Sequence, residues 1–218
     1  MFSELDGLTC NPEWNLRSGF RFRCKIVPMD IETEIDAALA SNDVLARSDV
    51  ERWIDVANDL PTLARLYRIT GEGYDRIKPK LGKELECKSI QNYLLECIRQ
   101  DVKDSDEIES RYEAAGTLHG WLRQLLESGD CDDVIRRTTH SVTELFLSSG
   151  EEIRDAIETG FLEHALESAG LRPYFEHWSR DARLRDTWDR ALEWGKAHPD
   201  FSWNNLQELR RLMENNDE

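Results

Sequence analysis

At 218 residues the chain is long enough to bury a substantial core, as one large domain or two small ones. With 39% hydrophobic and 33% charged residues, seven Trp and seven Phe, it is too apolar and aromatic for a disordered polymer, and six Pro and twelve Gly are too few for a turn-rich all-β protein. The net charge of −16 sets it against nucleic-acid phosphates and anionic lipid, and no apolar run approaches the ~18 residues of a membrane helix, so a soluble protein is expected.

Residues 1–28 differ from the rest. They carry Arg17, Arg21, Arg23 and Lys25 against Glu4, Asp6 and Glu13, a net of +1, which leaves −17 on the remainder. The stretch from Arg17 to Val27 alternates polar and apolar residues and predicts one short strand. There is no continuous apolar run with a small-residue cleavage site, so this is an arm, flexible or docked, rather than a secretory leader. Met29 stands just before a clean helical pattern and reads as a candidate alternative start of translation.

From residue 30 onward the period is helical. Ile31, Ile35, Ala38 and Leu39 share a face. Ser48 precedes a second helix, with Glu51 in capping-box position. Pro61 opens a third, carrying Leu63, Leu66, Tyr67 and Ile69, and Gly71 and Gly73 break it. A weak helical turn follows around Tyr74–Ile77, and Pro79 and Gly82 end it. Residues 85–98 predict a core helix striped by Ile90, Leu94, Leu95 and Ile98. The acids Asp101, Asp104, Asp106, Glu107 and Glu109 open a long helix, taken as 106–128, that ends at Gly129. Acids in a first turn suit the helix dipole, so this cluster has a structural explanation as well as a functional one. Three more helices are expected at 132–147, 151–169 and around Trp188, Leu192 and Trp194, stopped by Ser148-Ser149-Gly150, Gly170 and Pro199. Leu206, Leu209 and Leu212 mark a short final one.

Helices of this length on short loops predict an all-α fold: an antiparallel helical bundle, or HEAT-like stacked hairpins of the helices at 106–128, 132–147 and 151–169. Residues 29–218 read as a single domain with a soft boundary near 100–105.

Catalytic signatures are scarce. There is no phosphate loop, no GxGxxG after a strand, no GxSxG elbow and no HExxH. Five scattered cysteines without a CxxC pair predict reduced thiols, with Cys87 and Cys97 as small buried hydrophobes. His164 and His177 are candidates to approach one another. Glu163 and His164, however, are adjacent and about 100° apart on a helix, which does not make a zinc pair. Asp130, Asp132 and Asp133, or Glu151, Glu152 and Asp155, have the chemistry to hold a divalent ion, but helix caps and solvated faces explain them as well. Trp188, Trp194 and Trp203 are read as core rather than a ligand box. No catalytic residue, cofactor or metal site is assigned.

One segment carries a family likeness. Gly150-Glu-Glu-Ile-Arg-Asp-Ala-Ile-Glu-Thr-Gly-Phe-Leu-Glu-His-Ala-Leu-Glu, then Leu171-Arg-Pro-Tyr-Phe, then Thr187-Trp-Asp-Arg-Ala-Leu-Glu-Trp, resembles a family of bacterial α-helical proteins similar to the immunity proteins of polymorphic and type VI secretion toxins. The likeness covers about a fifth of the chain. It implies a cytoplasmic inhibitor without an active site, whose acidity complements the basic cleft of a nuclease toxin. The residues expected to meet that partner are the acidic helix ends: Asp101, Asp104, Asp106, Glu107, Asp130, Asp132, Asp133, Glu151 and Glu152. A homodimer is left open. The alternatives are an adaptor or chaperone that loads a secreted effector and, behind it, a helical metal-dependent hydrolase.

Overall fold

The computed structural model describes residues 8–13, 21–26, 30–71, 74–102, 108–129 and 131–198. The chain is all-α apart from short strand pairs, and its contacts divide it into residues 1–43 and 44–218. Among the described residues no helix is long and apolar enough to cross a membrane.

In the first unit, β1 (Leu8–Glu13) pairs antiparallel with β2 (Arg21–Ile26) in the register Leu8↔Ile26. The expected strand is therefore present with a partner that alternation did not mark. Helix α1 (Ile31–Ala40) is capped by Asp30, whose Oδ1 accepts from the Thr33 backbone N–H at 2.9 Å.

The second unit opens with β3 (Leu45–Ala46), paired in parallel with β4 (Ile77–Lys78). Helix α2 (Arg47–Val56) starts before Ser48, with Ala46 at the cap position and no side-chain cap. The expected Ser48 capping box is not formed. Glu51 instead pairs with Arg47 at 2.6 Å, and that guanidinium reaches Lys80 O at 3.3 Å. Helix α3 (Leu60–Gly71) has Pro61 in its first turn as expected, and Asp59 Oδ1 accepts from Thr62 N at 2.9 Å.

Helices α4 (Lys83–Gln100), α5 (Arg111–Ser128) and α6 (Asp132–Ser148) form the bundle centre. On α5, Ala114, Ala115, Leu118, Leu122 and Leu125 make one buried stripe at helical spacing. Burying a leucine such as Leu118 or Leu122, each fully covered, contributes about 1.5–3 kcal/mol. The acids of 101–109 do not open α5 as expected. Ser110 does, in a reciprocal capping box with Glu113, because a serine hydroxyl answers the N3 amide that an upstream acid cannot reach. Gly129, at φ 76°, ends the helix as expected. Helix α5 meets α4, α6 and the following segment together, so the array is a bundle rather than a row of stacked hairpins.

The helix expected over 151–169 is three pieces: α7 (Glu151–Ile157), a π-helical turn (Glu158–Leu162) and α8 (Glu163–Glu167). Glu163 N–H bonds Glu158 O, five residues back. Packing explains it. The buried pairs Ala156–Ile157, Phe161–Leu162 and Ala165–Leu166 are spaced five residues, then four. In a regular helix a five-residue step turns a side chain about 140° off the core face, and the wider turn absorbs the extra residue.

A short α9 (Arg172–Phe175) and a 3-10 turn (Glu176–Arg180) deliver Phe175 and Trp178 to an aromatic core with Phe146 and Phe161. On α6, Thr143 donates back to Thr139 O at 2.8 Å and accepts the Trp178 Nε1–H at 2.8 Å, so the indole is buried with its polar atom satisfied. Helix α10 (Arg185–Ala197) lies on α8 so closely that Gly195 touches the Leu166 backbone. The helix expected at 206–212, with Pro199 and Trp203, lies outside the described residues.

Candidate partner-binding surface

The antiparallel order decides where the acidic helix ends go. Successive helices run in opposite directions, so successive loops fall at opposite ends of the bundle.

At one end, Asp101 closes α4 with a left-handed backbone at φ 52°. Its carboxylate accepts the Arg111 N–H at 3.3 Å. Arg111 is only 8% exposed. Its Nε donates to Ile98 O at 2.7 Å, and its Nη1 lies 3.5 Å from both Asp101 Oδ2 and Glu152 Oε2. One guanidinium thus ties the end of α4, the start of α5 and the start of α7. The Asp101 share is partly buried; the Glu152 carboxylate is 89% exposed, and water screens it heavily. Glu151 is exposed beside it in the first turn of α7. Nearby, the exposed Tyr112 donates its hydroxyl to Asp155 at 2.5 Å.

At the other end, Asp132 and Asp133 stand exposed in the first turn of α6. Arg136 at 2.6 Å and the Tyr174 hydroxyl at 2.6 Å hold the Asp132 carboxyl below its usual range, Arg136 having the larger effect. Asp133 lines an open groove of about 460 Å³ with Lys83, Glu84, Cys131 and Arg137. A second groove of about 320 Å³, holding Cys87, Lys88, Gln91 and His140, runs on between α4 and α6. Lys83 reaches Ser128 at 3.4 Å, which ties the start of α4 to the end of α5, and Arg137 reaches Glu84 at 3.3 Å, which sets the starts of α4 and α6 side by side. Helix α4 has 18 residues, about 27 Å, so the two acidic ends are separated by roughly that distance.

The structure therefore brings together Asp101, Glu151 and Glu152 and sets Asp132 and Asp133 apart from them. Asp104, Asp106, Glu107 and Asp130 lie outside the described residues. A third acidic stripe was not anticipated: Asp186, Asp189 and Glu193 are exposed along α10 at helical spacing. On α8, burial raises the Glu163 carboxyl above its ordinary value, with the carboxylate of Glu158 adding to the effect. The sequence held the signal in that three-then-four spacing opposite Trp188 and Leu192.

Other expected groupings resolve differently. His164 stands beside His119, ring centroids 5.9 Å apart, and bonds Glu167 at 2.9 Å, whereas His177 faces Thr143 at 3.1 Å. Among the described residues no three His, Cys, Asp or Glu side chains converge as a metal-holding group. Trp188 is core at 8% exposure, but Trp194 is 39% exposed and stacks on His198, because α10 turns only one face to the bundle. Cys87 and Cys97 are buried free thiols, as is Cys131; burial pushes Cys87 up to about 11 and Cys97 up to about 12. No protein-family model matches the chain, and neither a curated protein nor a solved structure does.

Proposed function

We propose that this chain is a cytoplasmic immunity protein that binds a cognate antibacterial toxin and neutralises it without catalysis. The expected toxin is a nuclease effector of type VI secretion with a basic substrate cleft. One observation carries the reading: residues 29–218 have a net charge of −17, and among the described residues Asp132, Asp133, Glu151, Glu152, Asp186, Asp189 and Glu193 are exposed at helix starts and along α10. Such a surface competes with nucleic acid for a cationic cleft and speeds encounter, by about 10–10³-fold in steered cases. The separation of the two bundle ends makes the reading more specific. A compact cleft engages one end, and the Asp101–Glu151–Glu152 end is favoured because Arg111 orders it from below.

The test is co-purification from the native host in low salt, followed by a growth assay with the captured protein. A basic toxin that arrests growth, relieved by co-expression of this chain, supports the proposal. Affinity should fall steeply as ionic strength rises and the Debye length shrinks from about 10 Å toward 3 Å. It should also fall on the double reversal Glu151→Lys with Glu152→Lys. A partner from the secretion machinery, held with little salt dependence, would overturn it in favour of an effector adaptor.

A further inference from the structure

The junction between α4 and α5 contains a carboxyl group that the surface reading does not use. Tyr93, 2% exposed, stacks on Tyr67 with centroids 4.4 Å apart. Its hydroxyl oxygen accepts the Glu109 N–H at 3.1 Å, which fastens the segment ahead of α5 to α4. The Glu109 side chain turns inward there. Its Oε2 is buried with no hydrogen-bond partner, and the Thr117 side chain, which favours the charged form, only partly offsets that burial. Among the described residues, the titratable groups coupled to this site come from each packed helix: Tyr67 from α3, Tyr93 and Cys97 from α4, Glu113 from α5. Of these Glu113 is the ionised one, with the sign that Glu109 itself takes on losing its proton. Arg111, two residues on, is engaged by Ile98 O, Asp101 and Glu152.

We propose that Glu109 is a proton-operated latch: its neutral carboxyl packs the 108–110 segment onto the Tyr67–Tyr93 stack, and loss of that proton to solvent base releases the segment. Burial without a hydrogen-bond partner disfavours the carboxylate far more than the protonated group. Burial, and after it the Glu113 charge, accordingly raises the Glu109 carboxyl above its ordinary range. The sign follows. A group whose folded pKa is raised contributes fully below its unfolded value and loses that contribution as pH climbs through the folded one. Asp132 and Glu113, whose values are lowered, respond in the opposite sense. The latch must therefore be read locally rather than from global stability.

The test is hydrogen exchange at the Glu109 amide, referred to the Val142 and Leu145 amides of α6, from about pH 4 to about pH 8 with intrinsic rates removed. Relative protection should fall as pH rises, about tenfold for every pH unit by which the folded value exceeds the ordinary one, and then level off. Glu109→Gln, neutral at every pH, should be flat. Glu113→Gln keeps a side chain able to cap α5 but removes the facing charge, so it should move the fall to lower pH; this variant keeps the test available if Glu109→Gln does not fold. Wild-type protection independent of pH, a Glu109→Gln variant that keeps the wild-type profile, or a Glu113→Gln profile that does not move would each overturn the latch.

Discussion

Gly195→Ala tests the tightest contact in the fold. A Cβ there would lie 2.6 Å from Leu166 C, 2.7 Å from Leu166 O and 2.8 Å from Glu167 N. All three are backbone atoms of α8, so no rotamer change relieves the clash. Restoring an ordinary separation of about 3.4–4 Å requires α10 to back away by roughly 0.8 Å or more, and a gap of that size forfeits a quarter to a half of each dispersion contact along the seam. The seam includes Ala165, Leu166, Trp188 and Ala191, all buried. Overpacking of this kind costs about 1–3 kcal/mol, against which alanine recovers up to about 1 kcal/mol in helix propensity. The net expectation is a loss of about 1–2 kcal/mol. In thermal unfolding followed by tryptophan fluorescence, that lowers Tm by roughly 2–8 °C for a domain of this size. Gly116→Ala and Gly120→Ala on α5 are the controls: nothing lies within 4 Å of either Cβ position, so propensity alone should act and stabilise. If Gly195→Ala raised Tm as the controls do, the close approach of α10 to α8 would be refuted.

Trp178→Phe should cost about 2–4 kcal/mol in urea unfolding, because it removes the bond to Thr143 and leaves a void beside Phe146 and Phe175; combined with Thr143→Val the losses should be less than additive. Ser110→Ala removes the α5 cap and should lower stability by about 1 kcal/mol, with Ser110→Asp restoring most of it. Cys87 and Cys97 should resist thiol reagents at neutral pH until the chain is unfolded, since burial and thiol values near 11 and 12 suppress the thiolate; rapid labelling of either one in the native protein, located by peptide mapping, would contradict the packing. Arg183 holds the Asp181 carboxyl down to about 2, so its contribution is present above the ordinary aspartate value and is lost as pH falls through about 2. Asp181→Asn should therefore lower stability slightly at neutral pH and flatten the lowest-pH part of an acid-unfolding curve, where the wild type has lost the contribution as well.

Much of the secondary structure could be read from local chemistry. Pro61, Gly129 and the Ser148-Ser149-Gly150 stop act within one turn of themselves, and the structure places helix boundaries at each. Misreadings arose where two local signals competed. Ser48 and Glu51 have the spacing of a capping box, yet Arg47 recruits Glu51 and a strand pairing sets the entry to α2. The acids of 101–109 suit a first turn, yet Asp101 closes the preceding helix and Arg111 takes its carboxylate. The five-then-four spacing of buried pairs in 156–166 was present in the sequence, but it becomes a π turn only when α5 presents Ala115 and Tyr112 to Gly160.

Composition, charge and the helical period determine by themselves that this is an acidic, all-α chain with no apolar run of membrane-spanning length, with buried thiols at Cys87 and Cys97. Those properties come from summed charge and from the pattern of neighbours along the chain. Tertiary structure alone decided which acids share a surface. Asp101 and Glu152 are 51 positions apart and meet on Arg111, while Asp101 and Asp132 are nearer in sequence and end on opposite ends of the bundle. The physical reason is that helix direction alternates at every loop, so proximity in space depends on how many turns of the chain intervene.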